Sequence, residues 1–262
     1  MLTKLGAEAR IIAGGTDILV KMKLRNLVPR YLVGLGEIPG LEEISYDPEE
    51  GLRVGAMATI QALKNASAVK RNCKILHEAA TVESSVQIRN MATLGGNIAN
   101  ASPGGDGPLA LIVAGASLVL AGPKGRRQVP LEDFCTAPGK TVLEEGELLV
   151  EIRVPPMAPG TGVAFLKHAL RRADLSIVST AVLLVMEGDN CTHIRIGLGA
   201  VAPIIMRATE AEDMLSGKEI AEDLANEAAR AAARQCSPIG DFRSSAKYRR
   251  RSIIDTTRSA IL

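Results

Sequence analysis

The sequence contains few of the side chains that stack on nucleic-acid bases. Among 262 residues there are three Tyr, three Phe and no Trp. Proteins that bind single-stranded nucleic acid need aromatic platforms for the bases, so this class of partner is disfavoured. The core must instead be filled by Ile, Leu, Val, Ala and Met.

Residues that bind metals are also few and far apart. The four cysteines are at least 45 residues apart, and the three histidines are isolated from one another. Zinc and iron–sulfur sites need closely spaced ligands, which this sequence lacks. We therefore predict reduced, packed thiols and no metal bound by this chain.

The charges balance, and no segment looks like a membrane span. Lys and Arg number 31 against 29 Asp and Glu, a formal net charge of +2. Such a balance provides no global field for nucleic acid or an anionic membrane. No apolar run reaches the roughly 20 residues of a membrane helix, and residues 1–25 lack the order of a secretory signal. The sequence predicts a soluble, cytoplasmic protein with neither a nucleic-acid nor a membrane partner.

A pair of glycines stands between a predicted strand and a predicted helix in "RIIAGGTDILVKMK", residues 10–23. Gly14 and Gly15 lack a Cβ, so they can adopt positive φ and let an oxygen-rich ligand approach their main-chain N–H groups. Thr16 adds a hydroxyl. A single loop of this kind is explained equally well as a tight turn.

A second pair occurs in "TLGGNIANASPGGDGP", residues 93–108, which we predict to be a loop between ordered elements. Gly95 and Gly96 follow the hydroxyl residue Thr93, and Asp106 lies 13 residues after it. An acidic side chain after phosphate-binding glycines can accept a hydrogen bond from a ribose hydroxyl. The two loops together suggest a dinucleotide held from two sides, although neither fits the G-x-G-x-x-G or P-loop pattern.

A proline-rich run, "PPMAPGTG" from Pro155, predicts a linker and a domain boundary near residue 158. The predicted domains are residues 1–157 and 158–262. In the first, "ELLVEIRVP" is predicted to be an edge strand. In the second, residues 162–202 are predicted to alternate strands with one helix, with a hairpin turn at "GDN" and two helices afterwards.

Four stretches carry a resemblance to a known family: "IIAGGTDILVKMKLR", "VQIRNMATLGGNIANASPGGDGP", "FCTAPGKTVLEEGELLVEIRVP" and "FLKHALRRADLSIVSTA". They resemble the FAD-binding subunit of molybdenum hydroxylases, the xanthine dehydrogenase and carbon monoxide dehydrogenase family. The resemblance covers nearly the whole chain, which begins closer to its first glycine pair than is usual in that family. It implies an α+β fold, in which a two-subdomain FAD-binding domain of the vanillyl-alcohol oxidase type precedes a small α+β C-terminal domain.

The resemblance also implies a set of FAD-binding residues, whereas it assigns no catalytic residue. The flavin would lie in the cleft between the subdomains, bound without a covalent link because neither glycine loop contains a histidine. For Lys167 the commoner alternative is a surface lysine at a strand end. The implied residues are Ala13, Gly14, Gly15, Thr16 and Asp17 in a first pyrophosphate loop, Thr93, Gly95, Gly96 and Asn97 in a second, Asp106 near the ribose, and Leu149 and Lys167 near the flavin ring.

The function implied by the resemblance is electron transfer within a larger complex. A small partner subunit would carry [2Fe–2S] clusters, and a large partner would carry molybdopterin and hydroxylate the substrate. FAD on this chain would receive the electrons and pass them to an acceptor, which we expect to be NAD. The alternatives are a self-contained FAD oxidase or dehydrogenase, which would need a substrate-binding base of its own, and a nucleotide-binding module without catalysis.

Overall fold

Residues 2–262 are described by the computed structural model, in which a short first lobe precedes two antiparallel five-stranded sheets. The lobe, residues 2–41, contains one parallel strand pair that places Ala9 opposite Tyr31. The strand, turn and helix predicted around the first glycine pair are all present. The elements of the lobe are α1 (Leu2–Leu5), β1 (Ala9–Ile12), α2 (Ile18–Lys23) and β2 (Tyr31–Gly34).

Few side chains are buried in the first lobe. Among its described side chains only Ala9, Leu35 and Leu41 are buried. Helix α2 buries none, and its Leu19 and Val20 are about half exposed. The lobe therefore has little core of its own.

The middle region, residues 42–157, is built on a sheet of strand order β3-β4-β9-β5-β6. Strand β9 lies at its centre, so the predicted edge position of "ELLVEIRVP" is wrong. The chain returns after β8 to fill the gap between β4 and β5, which buries Leu149, Ile152 and Val154. In chain order the elements are β3 (Ile44–Asp47), β4 (Gly51–Gly55), α3 (Ile60–Asn65), α4 (Ser67–Asn72), α5 (Lys74–Val82), α6 (Val86–Met91), α7 (Leu94–Ala99), α8 (Asp106–Val113), β5 (Ser117–Gly122), β6 (Gly125–Pro130), β7 (Cys135–Ala137), β8 (Lys140–Thr141) and β9 (Leu148–Val154).

Residues 93–108 are more ordered than the predicted loop. They contain the whole of α7 and the first turn of α8. Glycine disfavours a helix by about 1 kcal/mol, but tertiary contacts override that preference here. The Thr93 side chain caps α7, and the Gly95 N–H is held by the Ala56 carbonyl at 2.9 Å.

The C-terminal region, residues 158–262, consists of the second sheet and three helices. The helix predicted within residues 162–202 is absent, because residues 169–177 form turns between two strands. The hairpin turn predicted at "GDN" is present, with Gly188 at φ +60°. The elements are β10 (Thr161–His168), β11 (Val178–Glu187), β12 (Asn190–Gly199), β13 (Met206–Arg207), α9 (Thr209–Leu215), β14 (Lys218–Glu219), α10 (Glu222–Gln235) and α11 (Ala246–Ile261).

The two sheets are joined through α8 and β12. A Cβ on Gly197 of β12 would stand 2.8 Å from the Leu109 side chain of α8, so the strand and helix pack closely. Glu132 of the middle region pairs with Arg195 and Arg207 of the C-terminal region, each at 3.2 Å. Polar pairs and apolar packing thus hold the C-terminal region against the middle one.

Candidate functional site

A cavity of about 830 Å³ opens where the first lobe, the middle region and the C-terminal region meet. Its volume lies within the range of about 300–1,000 Å³ typical of small-molecule sites. The structure brings all of the predicted site residues together in its lining. They are Ala13, Gly14, Gly15, Thr16, Asp17, Thr93, Gly95, Gly96, Asn97, Asp106, Leu149 and Lys167.

The first glycine loop follows β1 and turns sharply into α2. Gly15 has φ +77°, which an L side chain rarely adopts. A Cβ on Gly14 would lie 1.8 Å from the carbonyl oxygen of Met91, so this glycine lets the loop cross the end of α6. The two glycines meet different demands: one allows the turn and the other allows close main-chain packing.

The first loop lines the cavity and carries main-chain N–H groups that are not hydrogen-bonded within the described chain. Within the described chain, the N–H groups of residues 14–17 have no protein acceptor, and all four residues line the cavity. The loop is held through its carbonyls instead, since Gly15 O and Asp17 O accept from the N–H groups of Leu19 and Lys21 at 3.1 Å. Successive free N–H groups of this kind form an anion site.

In the second glycine loop, by contrast, the main-chain N–H groups of the residues after Thr93 are already hydrogen-bonded within the protein. The N–H groups of Leu94 and Gly95 donate to main-chain carbonyls at 2.9 Å, and the Gly96 N–H donates to Thr93 Oγ1 at 3.1 Å. A Cβ on Gly95 would stand 2.6 Å from the Ala56 carbonyl oxygen. A Cβ on Gly96 would instead point towards Ala13, 3.9 Å away, and touch only the capping hydroxyl. In the second loop, therefore, main-chain atoms fill the space beside Gly95, whereas the space beside Gly96 is largely free.

Asp106 is buried at the start of α8 and bridges the middle and C-terminal regions. Lys167 Nζ donates to its Oδ2 at 2.6 Å, and Ser176 Oγ donates to its Oδ1 at 3.2 Å. Burial raises the pKa of the Asp106 carboxyl, and the Lys167 charge opposes that rise. The Lys167 side chain is only 7 % exposed, so Lys167 is not the surface lysine that was the alternative interpretation of the sequence.

Two side-chain hydrogen bonds link the first lobe to the end of α7 at the cavity. Lys21 Nζ donates to Asn100 Oδ1 at 3.1 Å, and Asn100 Nδ2 donates to Asp17 Oδ1 at 3.0 Å. All three residues line the cavity, where Leu149 contributes an apolar surface. The site thus offers unpaired donors and a cation for an anionic group, and apolar surface for an uncharged ring.

Sequence reasoning missed one buried carboxyl group in the lining. Glu83 is 7 % exposed and accepts from Asn97 Nδ2 at 3.1 Å. Burial, reinforced by the negative charge of Asp106, raises the pKa of Glu83 to about 8. The available signal was the polar run "ESS", which separates α5 from α6 and contains Ser84 at φ +46°.

Residues 2–262 contain no cluster of three or more His, Cys, Asp or Glu side chains arranged to hold a metal ion. None of the helices described is both long enough and apolar enough to cross a bilayer.

Two protein families match the chain. The family described as "FAD binding domain in molybdopterin dehydrogenase" matches residues 1–157. The family described as "CO dehydrogenase flavoprotein C-terminal domain" matches residues 164–262.

Individual relatives agree with these families. The chain is 39% identical over 251 residues to the carbon monoxide dehydrogenase medium chain of Hydrogenophaga pseudoflava, covering 95% of this chain and 86% of that one. It is 30% identical over 256 residues to the xanthine dehydrogenase FAD-binding subunit of Escherichia coli O157:H7, covering 97% and 88%. A solved structure of the Hydrogenophaga pseudoflava carbon monoxide dehydrogenase superposes with a TM-score of 0.97 at 38% identity, covering 99% of this chain and 90% of that chain. The α+β fold class, with an FAD-binding domain before a C-terminal domain, is confirmed by these matches.

Proposed function

Because the chain belongs to the family of FAD-binding subunits of molybdenum hydroxylases, we propose that it links iron–sulfur clusters of a partner subunit to an electron acceptor, NAD. When bound, FAD would supply the redox chemistry, since its ring can take up two electrons together with a proton and give them up as a hydride. The chain's own residues bind and orient the cofactor. The reaction on substrate belongs to a partner subunit.

The observation that carries the cofactor proposal is the donor set of the first glycine loop. Residues 14–17 line the cavity, and their four main-chain N–H groups have no acceptor among the residues that the structure describes, which suits the two charges of a pyrophosphate. Lys21 adds a positive charge at the same wall. Gly96 of the second loop lies close to Ala13 of the first, since a Cβ on Gly96 would be 3.9 Å from the Ala13 Cβ.

The remaining residues are proposed to surround the rest of FAD. Thr93 and Asn97 of the second glycine loop would line the other side of the pyrophosphate. Leu149 and Lys167 would border the flavin ring. Asp106 is proposed to lie near the ribose. Since both of its oxygens already accept bonds from Lys167 and Ser176, it also fixes these two side chains at the cavity.

We propose a domain boundary near residue 158, dividing the chain into residues 1–157 and 158–262. The two family matches, which end at 157 and begin at 164, support this division. A second apolar cluster supports it as well, because its buried residues all lie at or after Ile177 and the partly buried ones packed against them lie at or after Ala164.

The partners are proposed to be a small [2Fe–2S] subunit and a large molybdopterin subunit. The medium-chain names of the relatives support a heteromeric assembly. A cytoplasmic location is part of the same proposal, and cell fractionation tests it. Co-purification from the native host, with iron and molybdenum analysis, should recover both partners, and NAD⁺ reduction by the purified complex tests the acceptor.

Cofactor identity is tested on the purified chain. Heat should release FAD without residual protein-bound flavin, because the link is non-covalent. Titration of the flavin-free chain should show much weaker binding of FMN, which lacks the pyrophosphate bridge and the second ribose. Recovery of FMN alone would refute the two-loop site. Substrate oxidation by the isolated chain would favour the self-contained oxidase instead.

A further inference from the structure

Two buried oxygen atoms in the cavity wall have no hydrogen-bond partner among residues 2–262. They are Glu83 Oε2, at the junction of α5 and α6, and Asn97 Oδ1, on α7. Leaving a buried acceptor unpaired destabilises the folded state, and leaving a charged one unpaired does so more strongly. Two such atoms on neighbouring side chains therefore need a physical account.

The two side chains are hydrogen-bonded to each other, and their unpaired oxygens both lie near Gly107. Asn97 Nδ2 donates to Glu83 Oε1 at 3.1 Å. The other two oxygens both approach Gly107, because a Cβ there would lie 3.0 Å from Asn97 Oδ1 and 3.8 Å from Glu83 Oε2. A carboxylate in this arrangement would face a second acceptor across a buried gap.

The charged groups around Glu83 do not neutralise it. Asp106 of α8 and Asp17 of the first loop are negative and oppose its ionisation, while Lys167 of β10 and Arg89 of α6 are positive and favour it. Lys167, however, is bonded to Asp106 at 2.6 Å.

Arg89 is also occupied elsewhere. Its Nη1 donates to the main-chain carbonyls of Glu83 and Ser84 at 2.9 and 2.8 Å, and its Nε donates to Gln61 Oε1 at 3.1 Å. The guanidinium thus supports the turn between α5 and α6, while the Glu83 carboxyl group faces Asn97.

We propose that Glu83 is a neutral carboxylic acid at neutral pH, and that its Oε2–H donates to Asn97 Oδ1 to complete a two-bond pair between acid and amide. One proton then satisfies both unpaired oxygens. The direction of the titration agrees, since burial and Asp106 raise the pKa of Glu83 to about 8.

The pair makes Glu83 a positioning residue for the cofactor, a role that rests on the proposed function. It fixes the Asn97 side chain next to Gly96 and keeps negative charge out of a cavity meant for an anionic ligand. Above a pH of about 8 the proton is lost and a charge appears beside Asp106. Affinity for FAD should be full below that pH and should fall by up to about tenfold per pH unit above it.

Infrared spectroscopy tests the proton without any flavin. The flavin-free full-length chain at about pH 6 should show a C=O stretch of a buried protonated carboxyl group that shifts in D₂O. The band should vanish at about pH 10 and be missing from the Glu83→Gln chain. Persistence of the whole band in Glu83→Gln, or its absence from the wild type, would overturn the proposal.

FAD titrations at about pH 6.5 and 9 test the consequence. Glu83→Gln keeps the shape and donates an N–H to Asn97 Oδ1, so it should bind like the wild type at neutral pH and lose no more than about twofold at alkaline pH. Glu83→Ala should bind about tenfold more weakly at both. Glu78→Gln, a matched change on α5, should keep the wild-type pH dependence.

Each outcome of the titrations is decisive for one of the two proposals. A Glu83→Gln chain that retains the wild-type alkaline loss, or that binds as weakly as Glu83→Ala at neutral pH, would exclude the neutral pair. If no variant and no wild-type chain binds FAD, the proposed function fails, whereas the infrared band still decides the state of Glu83.

Discussion

At the scale of single residues, the two positions of each glycine pair require glycine for different physical reasons. Gly14 and Gly95 have no room for a side chain because main-chain carbonyls of Met91 and Ala56 occupy the space. Gly15 needs its positive φ, and Gly96 leaves a surface open to the cavity. Substitutions in the two pairs should therefore separate folding from ligand binding.

Gly96→Ala is expected to weaken FAD binding about tenfold while leaving the melting temperature nearly unchanged. Its Cβ would point towards Ala13 of the first loop, and only the Thr93 hydroxyl, 2.9 Å away, would have to shift. Gly14→Ala should lower both, because its Cβ would overlap the Met91 carbonyl. Flavin content and thermal unfolding of the two variants provide the comparison. Equal effects on folding would contradict the division of roles.

Asp106→Ala is expected to destabilise the chain by about 3 to 5 kcal/mol, because it leaves the buried Lys167 ammonium group without its carboxylate. Denaturant unfolding measures this change. Glu144→Ala, which removes the exposed partner of Lys124, serves as the control and should have no measurable effect. An Asp106→Ala chain as stable as the control would show that the pair contributes nothing.

Asp106→Asn separates shape from charge at the same position. We expect FAD affinity to fall about tenfold or more, because Lys167 and Ser176 lose the charge that fixes them at the cavity. FAD titration of the flavin-free chain is the measurement. Unchanged affinity of the asparagine chain would make the charge irrelevant to binding.

Sequence reasoning located the cavity-lining residues better than it explained them. Gly14, Gly96 and Asp106 are recognisable by type and spacing, and they do line one cavity. Their partners, such as Met91 O and Lys167 Nζ, lie tens of residues away, and no local pattern encodes such contacts. Glu83 was missed for the same reason, since its burial depends on helices that meet only in the fold.

At the scale of elements, α11 depends on a buried guanidinium group that local patterns do not reveal. Arg249 lies in the basic run "KYRRRS", yet it is only 1 % exposed. It donates to the carbonyls of Ile177 and Ala200 and to Asp241 Oδ1 at 2.8 Å. Hydrogen bonds from Arg243, together with those from Arg249, hold the pKa of Asp241 well below its ordinary value.

Asp241→Ala is expected to lower the free energy of unfolding by about 2 to 3 kcal/mol, because it removes a charged partner from Arg249. Since the pKa is depressed in the folded state, this contribution is complete above the unfolded value of about 3.9 and disappears as the pH falls towards the folded one. The difference between wild type and variant should therefore shrink in acid. Urea unfolding at several pH values checks it.

Asp255→Ala is the matched control, since Asp255 is exposed on α11, the helix that contains Arg249. It should leave stability nearly unchanged at every pH. A gap between wild type and Asp241→Ala that persists at low pH would contradict the assigned cause.

Element types were easier to predict than their boundaries and positions. The alanine-rich helix α10 and the hairpin of β11 and β12 follow from periodicity and turn residues. By contrast, helix α7 carries two glycines and is stabilised by bonds to the chain after β4, and β9 is central because of sheet order. Such features depend on distant partners, and a local window contains no information about them.

At the scale of the whole molecule, three regions contribute to one cavity although only two of them contain large apolar clusters. The middle and C-terminal regions account for the two clusters. The first lobe supplies the free N–H donors but buries only three described side chains. The lobe that we propose to bind the pyrophosphate is thus the part least supported by its own packing.

This imbalance should be visible in the timing of hydrogen–deuterium exchange. Amides of β1 and β2 are expected to exchange well before those of β5 and β9 in the flavin-free chain, since local opening of the lobe exposes little apolar surface. Saturation with FAD should slow exchange in the lobe selectively. Contacts with the bound cofactor would then stabilise a lobe that buries few side chains of its own. Mass spectrometry of peptic fragments measures both states. Equal protection of all three regions before FAD is added would mean that the lobe is held by contacts other than the ligand.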